Sequence, residues 1–453
     1  MLLSRLSILS LAPIAVLGAL EVNLDSQDSI RSAAKQVAYD LMSFYHGNES
    51  GQIIGILPGP PPGGDYYWWQ GGALWGTMMD YWHFTGDATY NDVVSQAMLF
   101  QTGDAKDYMP NNWSLSLGND DQSFWGMSAM LAAEVKFPDP PEGQPQWLAL
   151  AQAVWTEQAS PERHDETCGG GLRWQIFSTN KGYDYKNTIA NAAFFNMGAR
   201  LARYLNNETY AKVATDTYNW MKGLNYIDDD FNVFDGGHVP QNCTDVNRQQ
   251  FSYNAAVLLL GCAYMYDYTN HSKEWEDRVS GLVGGIERVF FPNGTAYEPS
   301  CETGICTTDM LSFKGYLHRW LAVTTQVAPF VKERIMGVLK TSTESAVKQC
   351  TGGDNGRMCG FHWTSGVFDG QTGAGQQMNV VAALSSLLID DAQEPVTNST
   401  GGTSQGDPNA GSGPQKGLPQ LSPVTTGDKA GAGILTAVLI GLTLVSVVWM
   451  GVD

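Results

Sequence analysis

The chain has 453 residues, 43% of them hydrophobic and 11% aromatic, and a formal charge of −20 at pH 7. So acidic a chain is excluded as a nucleic-acid binder and as a ligand of anionic lipid headgroups; it suits an ectodomain that meets neutral or cationic partners. Its length allows one large domain or two ordinary ones.

Residues 1–19 hold one Arg, a short apolar core interrupted by Pro13 and a small-residue site near Gly18-Ala19. This predicts a secretory signal peptide, which is excluded from the fold. From 20 to 390 the chain reads as helix after helix. Apolar periodicity predicts helices over 26–46, 67–84, 89–100, 120–135, 146–158, 187–204, 209–221, 250–268, 273–289, 308–327, 331–348 and 376–388. Every second one is apolar or Gly/Ala-rich nearly all round, as in WWQGGALWGTMMDYW, DDQSFWGMSAMLAAEV and QQFSYNAAVLLLGCAYMY. Helices of that kind are buried. A weak repeat of polar turns, at 84–90, 205–210 and 269–275 with a fourth copy at 145–147, joins each buried helix to a more amphipathic one. Six buried and six amphipathic helices in alternation predict an all-α, single-domain (α/α)6 barrel. An open solenoid would need polar capping repeats, and the first and last pairs are apolar.

The barrel gathers the polar N-terminal ends of its buried helices at one mouth. These carry Trp68-Trp69-Gln70, Asp120-Asp121-Gln122, Lys186-Asn187, Gln249-Gln250 with Tyr253-Asn254, and Lys314. The adjacent carboxylates of SLGNDDQSFWG stand out. At a helix start, consecutive side chains diverge by about 100°. Two carboxyls then stand about 5 Å apart, the separation a retaining glycosidase uses. At that distance two charges repel by about 3 kcal/mol at an effective dielectric near 20, so one carboxyl keeps its proton. The competing reading, a capping Asp and a dipole partner, needs no cleft. The helix ends supply one, and the acid pair is favoured.

Seven N-x-S/T sequons, at Asn48, Asn112, Asn207, Asn242, Asn270, Asn293 and Asn398, are expected on a secreted surface. Of the seven cysteines, Cys301/Cys306 and Cys350/Cys359 are close enough for local bridges. Cys168, Cys243 and Cys262 remain, which leaves one thiol over and the connectivity open. His164-Asp165-Glu166 with Cys168 matches no standard metal spacing and reads as a loop; no metal and no cofactor is expected. Asp235-Gly236-Gly237 reads as a turn that could bring a supporting acid to the cleft.

From 391 to 429 the chain is rich in Gly, Ser, Thr, Pro and Gln, and predicts a flexible stalk. From 430 to 453 comes an apolar tail with no Lys or Arg after it. A GPI attachment signal is favoured over a spanning helix, with Gly427 and Asp428 as candidate attachment residues. That predicts a protein at the cell surface, on the outer leaflet of the plasma membrane.

WWQGGALWGTMMDYW, NDDQSFWG, CGGGLRWQ with GYDYKNTIANAAFF, and FSYNAAVLL together resemble glycoside hydrolase family 76, and its fungal cell-wall branch in particular. The resemblance covers about residues 25–389. It implies an α-1,6-mannanase-like retaining enzyme with Asp120 as nucleophile and Asp121 as general acid/base. By it the substrate-binding residues map to Trp68, Trp69, Trp125, Trp174, Lys186, Asn187, Tyr253 and Asn254, with Gln70 added from its helix end. The implied partners are a mannose-containing glycan, GPI-anchored wall proteins and a wall glucan acceptor. A non-catalytic protein that binds mannan or the GPI glycan in the same cleft is the rival reading.

Overall fold

The computed structural model describes residues 18–413 and 426–450. They fall in two units, one ending at Gly413 and the other containing helix α13 (Thr426–Met450). Twelve helices build the first unit. They are α1 (Gln27–Met42), α2 (Trp68–Thr85), α3 (Asn91–Phe100), α4 (Asn119–Glu134), α5 (Trp147–Gln158), α6 (Thr188–Leu205), α7 (Glu208–Gly223), α8 (Ser252–Tyr268), α9 (Lys273–Phe290), α10 (Phe313–Val327), α11 (Lys332–Val347) and α12 (Ala374–Ser386). Two short antiparallel ladders are the only sheets among the described residues: β1 (Tyr185–Asn187) with β2 (Gly236–His238), and β3 (Cys350–Gly352) with β4 (Met358–Cys359).

The even-numbered helices are buried on every side. Having no face for solvent, they pack on one another in chain order, and α12 returns to α2 to close a ring. The odd-numbered helices lie outside. On α9, Trp275, Val279, Leu282, Val283 and Ile286 face inward at helical spacing. Ring closure rules out the open solenoid. Small residues let the inner helices approach: a Cβ on Gly261 of α8 would lie 2.5 Å from the Phe195 ring of α6. The barrel axis is filled by buried ion pairs. Arg319 binds Asp80 at 2.5 Å, Arg200 binds Glu134 at 2.7 Å, and the Tyr264 hydroxyl donates to Glu134 at 3.1 Å. Such pairs add little net stability against apolar replacements, but losing one partner leaves a costly buried charge.

Helix ends differ from the sequence expectation chiefly at α10, which begins at Phe313 and not at 308. The residues before it form a loop and a short 3-10 turn over Met310–Ser312, which carries Asp309 into the mouth of the barrel.

The stalk boundary expected at 391 is corrected. Residues 392–413 strap the barrel: Val396 N–H donates to Glu134 O at 2.9 Å, Asn398 N–H to Tyr204 O at 3.0 Å and Asp407 N–H to Gln152 Oε1 at 2.8 Å. Leu148 N–H donates to the buried Ser404 Oγ at 3.0 Å. Glu134 and Tyr204 lie in the last turns of α4 and α6, where backbone carbonyls have no intrahelical donor. The strap supplies those donors through its backbone, which apolar periodicity cannot reveal. The remainder of the expected stalk up to 425, and residues 1–17 of the expected signal peptide, lie outside the described residues. Leu20 already belongs to the barrel, its N–H donating to Cys350 O at 3.0 Å.

Three disulfides resolve the cysteines: Cys168–Cys243, Cys301–Cys306 and Cys350–Cys359, with Cys262 a buried free thiol. The first ties the loop before β1 to the loop after β2, both beside the barrel mouth.

Candidate active site

The start of α4 is clamped before it presents its acids. Asn119 N–H donates to Trp174 O at 2.8 Å, Asn119 Nδ2 to Arg173 O at 2.8 Å, and Arg163 Nη1 to Asn119 Oδ1 at 2.6 Å. Behind it Gln122 Nε2 donates to Asp107 O at 2.8 Å and Glu157 Oε2 at 2.7 Å. The first turn therefore cannot fray. Asp121 Oδ2 accepts Gly118 N–H at 2.6 Å and Asp120 Oδ1 accepts Asp121 N–H at 3.1 Å. A Cβ on Gly118 would collide with Asp120 Oδ1, lie 2.9 Å from Trp174 O and lie 3.3 Å from Asp121 Oδ2. Both carboxyls thus converge over one glycine.

Burial pushes both carboxyls up. Asp120 is held well above the ordinary carboxylate range, by desolvation first and by the neighbouring Asp121 second. Asp121 is raised to about 7 by desolvation, opposed by the Gly118 hydrogen bond and reinforced by Asp309. The pair acts as one unit that retains a proton near neutrality. Asp121, with its short backbone donor, is the better place for the charge in the free protein.

The pair opens into a cavity of about 1200 Å³ at the barrel mouth, walled by the N-terminal ends of α2, α4, α6, α8 and α10. Tyr253 lies flat on Phe313, ring centroids 3.8 Å apart, and Trp69 packs on Phe124 at 4.5 Å. Two further acids complete the wall. Asp235 accepts the Tyr185 hydroxyl at 2.7 Å, and Asp309 accepts Trp69 Nε1–H at 3.0 Å. Desolvation raises both. No Lys or Arg is among the described residues that line the cavity. Four carboxyls and several aromatic rings favour neutral or cationic, hydroxyl-rich ligands and repel uronates.

Of the residues given a catalytic or substrate-binding role from the sequence, Trp69, Asp120, Asp121, Trp174, Asn187 and Tyr253 line this cavity. Five do not, which corrects the expectation. Trp68 and Trp125 are buried behind the wall, stacked on each other at 5.0 Å, with Trp125 also against Tyr108 at 5.5 Å. Gln70 is buried as a brace, accepting Tyr67 N–H at 2.9 Å and donating to Thr308 O at 3.3 Å. Lys186 is wholly buried, its Nζ within 3.0 Å of Asp165 Oδ1 and of the carbonyls of Thr167, Gly170 and Gly171. It organises the loop that bears Trp174. Asn254 is buried in α8, where its side chain meets Asp235 of the cavity wall and opposes the rise of that carboxyl's pKa. The other four have the right height on the barrel but turn to partners away from the cavity. Asp165 is occupied by Lys186 and by Arg173 at 2.5 Å, and Cys168 by its disulfide, so that cluster is structural.

Asp235 stands on the wall, as its turn allowed. Sequence reasoning missed Asp309, Tyr67, Tyr185, Gln175 and Phe313. Asp309 lay in a stretch read as helix, and its partner Trp69 is 240 residues away. The seven sequon asparagines are all exposed.

Comparison with known proteins places these features in context. The family model described as "Glycosyl hydrolase family 76" matches residues 29–399. The chain is 45% identical over 434 residues to the mannan endo-1,6-alpha-mannosidase DCW1 of Saccharomyces cerevisiae, covering 94% of each. It is 40% identical over 438 residues to the mannan endo-1,6-alpha-mannosidase DFG5 of the same yeast, covering 95% of this chain and 94% of that one. The crystal structure of Dfg5 from Chaetomium thermophilum in complex with glucosamine superposes with a TM-score of 0.84 at 60% identity, covering 86% of this chain and 97% of that chain. The GH76A alpha-1,6-mannanase of Salegentibacter sp. HEL1_6 shares the fold, with a TM-score of 0.61 at 17% identity over 80% of this chain and 99% of that chain.

Proposed function

From the premise that this chain belongs to glycosyl hydrolase family 76 and is a glycoside hydrolase, we propose that it cleaves α-mannosidic glycans with retention at Asp120 and Asp121. The observation that carries this is the convergence of two proton-sharing carboxyls over Gly118, on the wall of an aromatic, cation-free cavity. Asp120 attacks the anomeric carbon while Asp121 protonates the departing oxygen. The sugar is left as an ester of Asp120. Asp121, now a carboxylate, then takes a proton from the incoming hydroxyl, which displaces Asp120 from the anomeric carbon. In the free cleft the charge sits better on Asp121 and the proton on Asp120, the reverse of what the first step needs. One proton passing between neighbouring carboxyls as the glycosidic oxygen meets Asp121 sets the pair for reaction. A 2-deoxy-2-fluoro mannosyl probe followed by peptide mapping tests the order: label on Asp120 is expected, and label on Asp121 would exchange the two roles.

The substrate is α-1,6-mannan or the mannose-containing core of a GPI anchor. A relative binds glucosamine, and the GPI core presents an unacetylated glucosamine beside its mannoses. An ammonium sugar suits a wall with Asp235 and Asp309. With a wall glucan as the incoming hydroxyl, the same chemistry moves GPI proteins from membrane to wall. Helix α13, whose 429–446 window has mean hydropathy 1.7, serves as the GPI attachment signal, with Gly427 or Asp428 as the residue joined. Release of the surface protein by phosphatidylinositol-specific phospholipase tests this; retention would indicate a spanning anchor.

A further inference from the structure

We infer that the mouth of the barrel docks on the neutral outer leaflet of the membrane, through a crown of apolar side chains in the loops that enter the inner helices. Five of those six loops carry a large apolar side chain exposed to solvent: Ile53 and Tyr67 before α2, Leu115 before α4, Trp174 before α6, Ile305 before α10 and Val367 before α12. Ile305 is 90% exposed, Val367 65% and Leu115 59%. Among the described residues, the loops that leave the inner helices at the other end carry one such side chain, Phe330. Single exposed apolar residues are ordinary, but a set gathered at one end marks a surface that meets something apolar.

The crown is braced from behind. Asn180 Nδ2 donates to Leu115 O at 3.0 Å and to Gln175 Oε1, on the cleft wall, at 3.1 Å. The Cys301–Cys306 bridge closes a ring that has Ile305 on it, two residues before Thr307 of the cleft. Tyr67 and Trp174 line the cleft itself. The crown and the opening to Asp120 and Asp121 therefore share one face of the barrel.

Charge, side-chain type and the exit of the chain point to the occupant. A chain of formal charge −20, with four carboxyls in the cleft of this face, is repelled by anionic headgroups but not by zwitterionic ones. Trp and Tyr favour the headgroup level, and Ile, Leu and Val the acyl boundary beneath it. The strap over 392–413 turns the C-terminal chain toward this face. It starts at the far end of the barrel, where Val396 meets Glu134, and rises along α5 to Gly411, where a Cβ would collide with Ala153 O. Ala153 stands five residues before Gln158, whose side chain donates to Asn119 O at the mouth, so the strap ends about 8 Å short of the first turn of α4. From there residues 414–427 put at most about 50 Å between the barrel and the proposed attachment site. A GPI core also stands on lipid, and a docked mouth meets it at the height where it stands. This role rests on the GPI reading above.

The test uses the full chain with its own anchor in phosphatidylcholine vesicles, with a polarity-sensitive fluorophore on Leu115→Cys, on Val367→Cys or, at the far end, on Phe330→Cys. Cys262 is buried and takes no label. Brominated lipid is expected to quench the labels at 115 and 367 by about half or more and to leave that at 330 unchanged, as shallow insertion of one face requires. Leu115→Ser with Val367→Ser lies outside the cleft lining. The pair is expected to lower turnover of a GPI-linked substrate in the same vesicles about tenfold and to leave α-1,6-mannotriose turnover within about twofold, since only contact with lipid is lost. Water-exposed labels at 115 and 367, equal quenching at 330, or an equal loss on both substrates overturns the docking. The sequons at Asn48, Asn112, Asn242 and Asn293 lie in the same set of loops, so the labels are read before and after enzymatic removal of N-glycans. Quenching in the trimmed chain alone overturns the docking for the secreted protein. Resistance to the phospholipase with the expected quenching would overturn the GPI anchor and leave the docking standing, and a parent that turns over neither substrate would overturn the proposed function alone.

Discussion

Asp121 is raised to about 7 by burial, with Asp309 adding to it, so it keeps a proton in the folded chain across a pH range where the unfolded chain has lost it. Between the ordinary carboxylate value and about 7 the folded state binds more protons, and stability therefore falls as pH rises, by about 1.4 kcal/mol for each pH unit. Asp121→Asn keeps an acceptor for Gly118 N–H and removes this cost. Its Tm by calorimetry should exceed the parent's by a few degrees at about pH 7.5 and match it at about pH 4, whereas equal values at both would refute the raised carboxyl. The same substitution should lower turnover of a mannan oligosaccharide by more than about a hundredfold, as loss of a general acid does, and Asp120→Asn at least as much. Intact cell-wall function in cells carrying either variant would favour the binding-protein reading. Lys186→Met tests a correction. Taking the donor from three carbonyls, while Asp165 keeps Arg173, should cost about 3–5 kcal/mol, measured by denaturant unfolding, without changing mannotriose affinity. A raised Kd at unchanged stability would return Lys186 to the cleft.

At the scale of elements, the first turn of α4 depends on the residue before it. Gly118 has φ −86°, which any residue can adopt, so glycine is required only by the space that Asp120 and Trp174 leave. Gly118→Ala should therefore cost little stability, about 1–3 kcal/mol as overpacking does, and most of the activity. Normal turnover in that variant would contradict the convergence of the two carboxyls. The twelve helices were legible because the inner six are apolar nearly all round and the outer ones, α5 apart, are striped, a contrast carried by the order of residue types. The cleft was legible only in height. A position in the first turn of an inner helix fixes how near the mouth a side chain lies, but not whether it faces the axis or its neighbour. Trp69 and Trp68 are consecutive, yet one reaches Asp309 and the other Gln101. Asp309 and Tyr185 were out of reach because loops and a three-residue strand place them, through partners far away in sequence.

For the whole molecule, the strap over 392–413 makes a prediction that composition would not. A chain ending at 391 loses the donors to Glu134 O and Tyr204 O and the Ser404 acceptor for Leu148 N–H, where one ending at 413 keeps them. At about 1 kcal/mol per net hydrogen bond lost, the shorter chain should unfold several degrees lower, and equal melting would mark the strap as passive. The ring has a seam between α12 and α2, and α1 packs across α12, so the earliest and latest helices meet there. A chain made from its N-terminus carries the flank of α2 uncovered from residue 68 until residue 374 has been added. At the usual speed of synthesis that wait is about 15 to 60 s. By its end, five-sixths of a ring stands with two apolar edges unsealed, surface of the kind chaperones cover, and α12 decides whether the nascent chain becomes an enzyme.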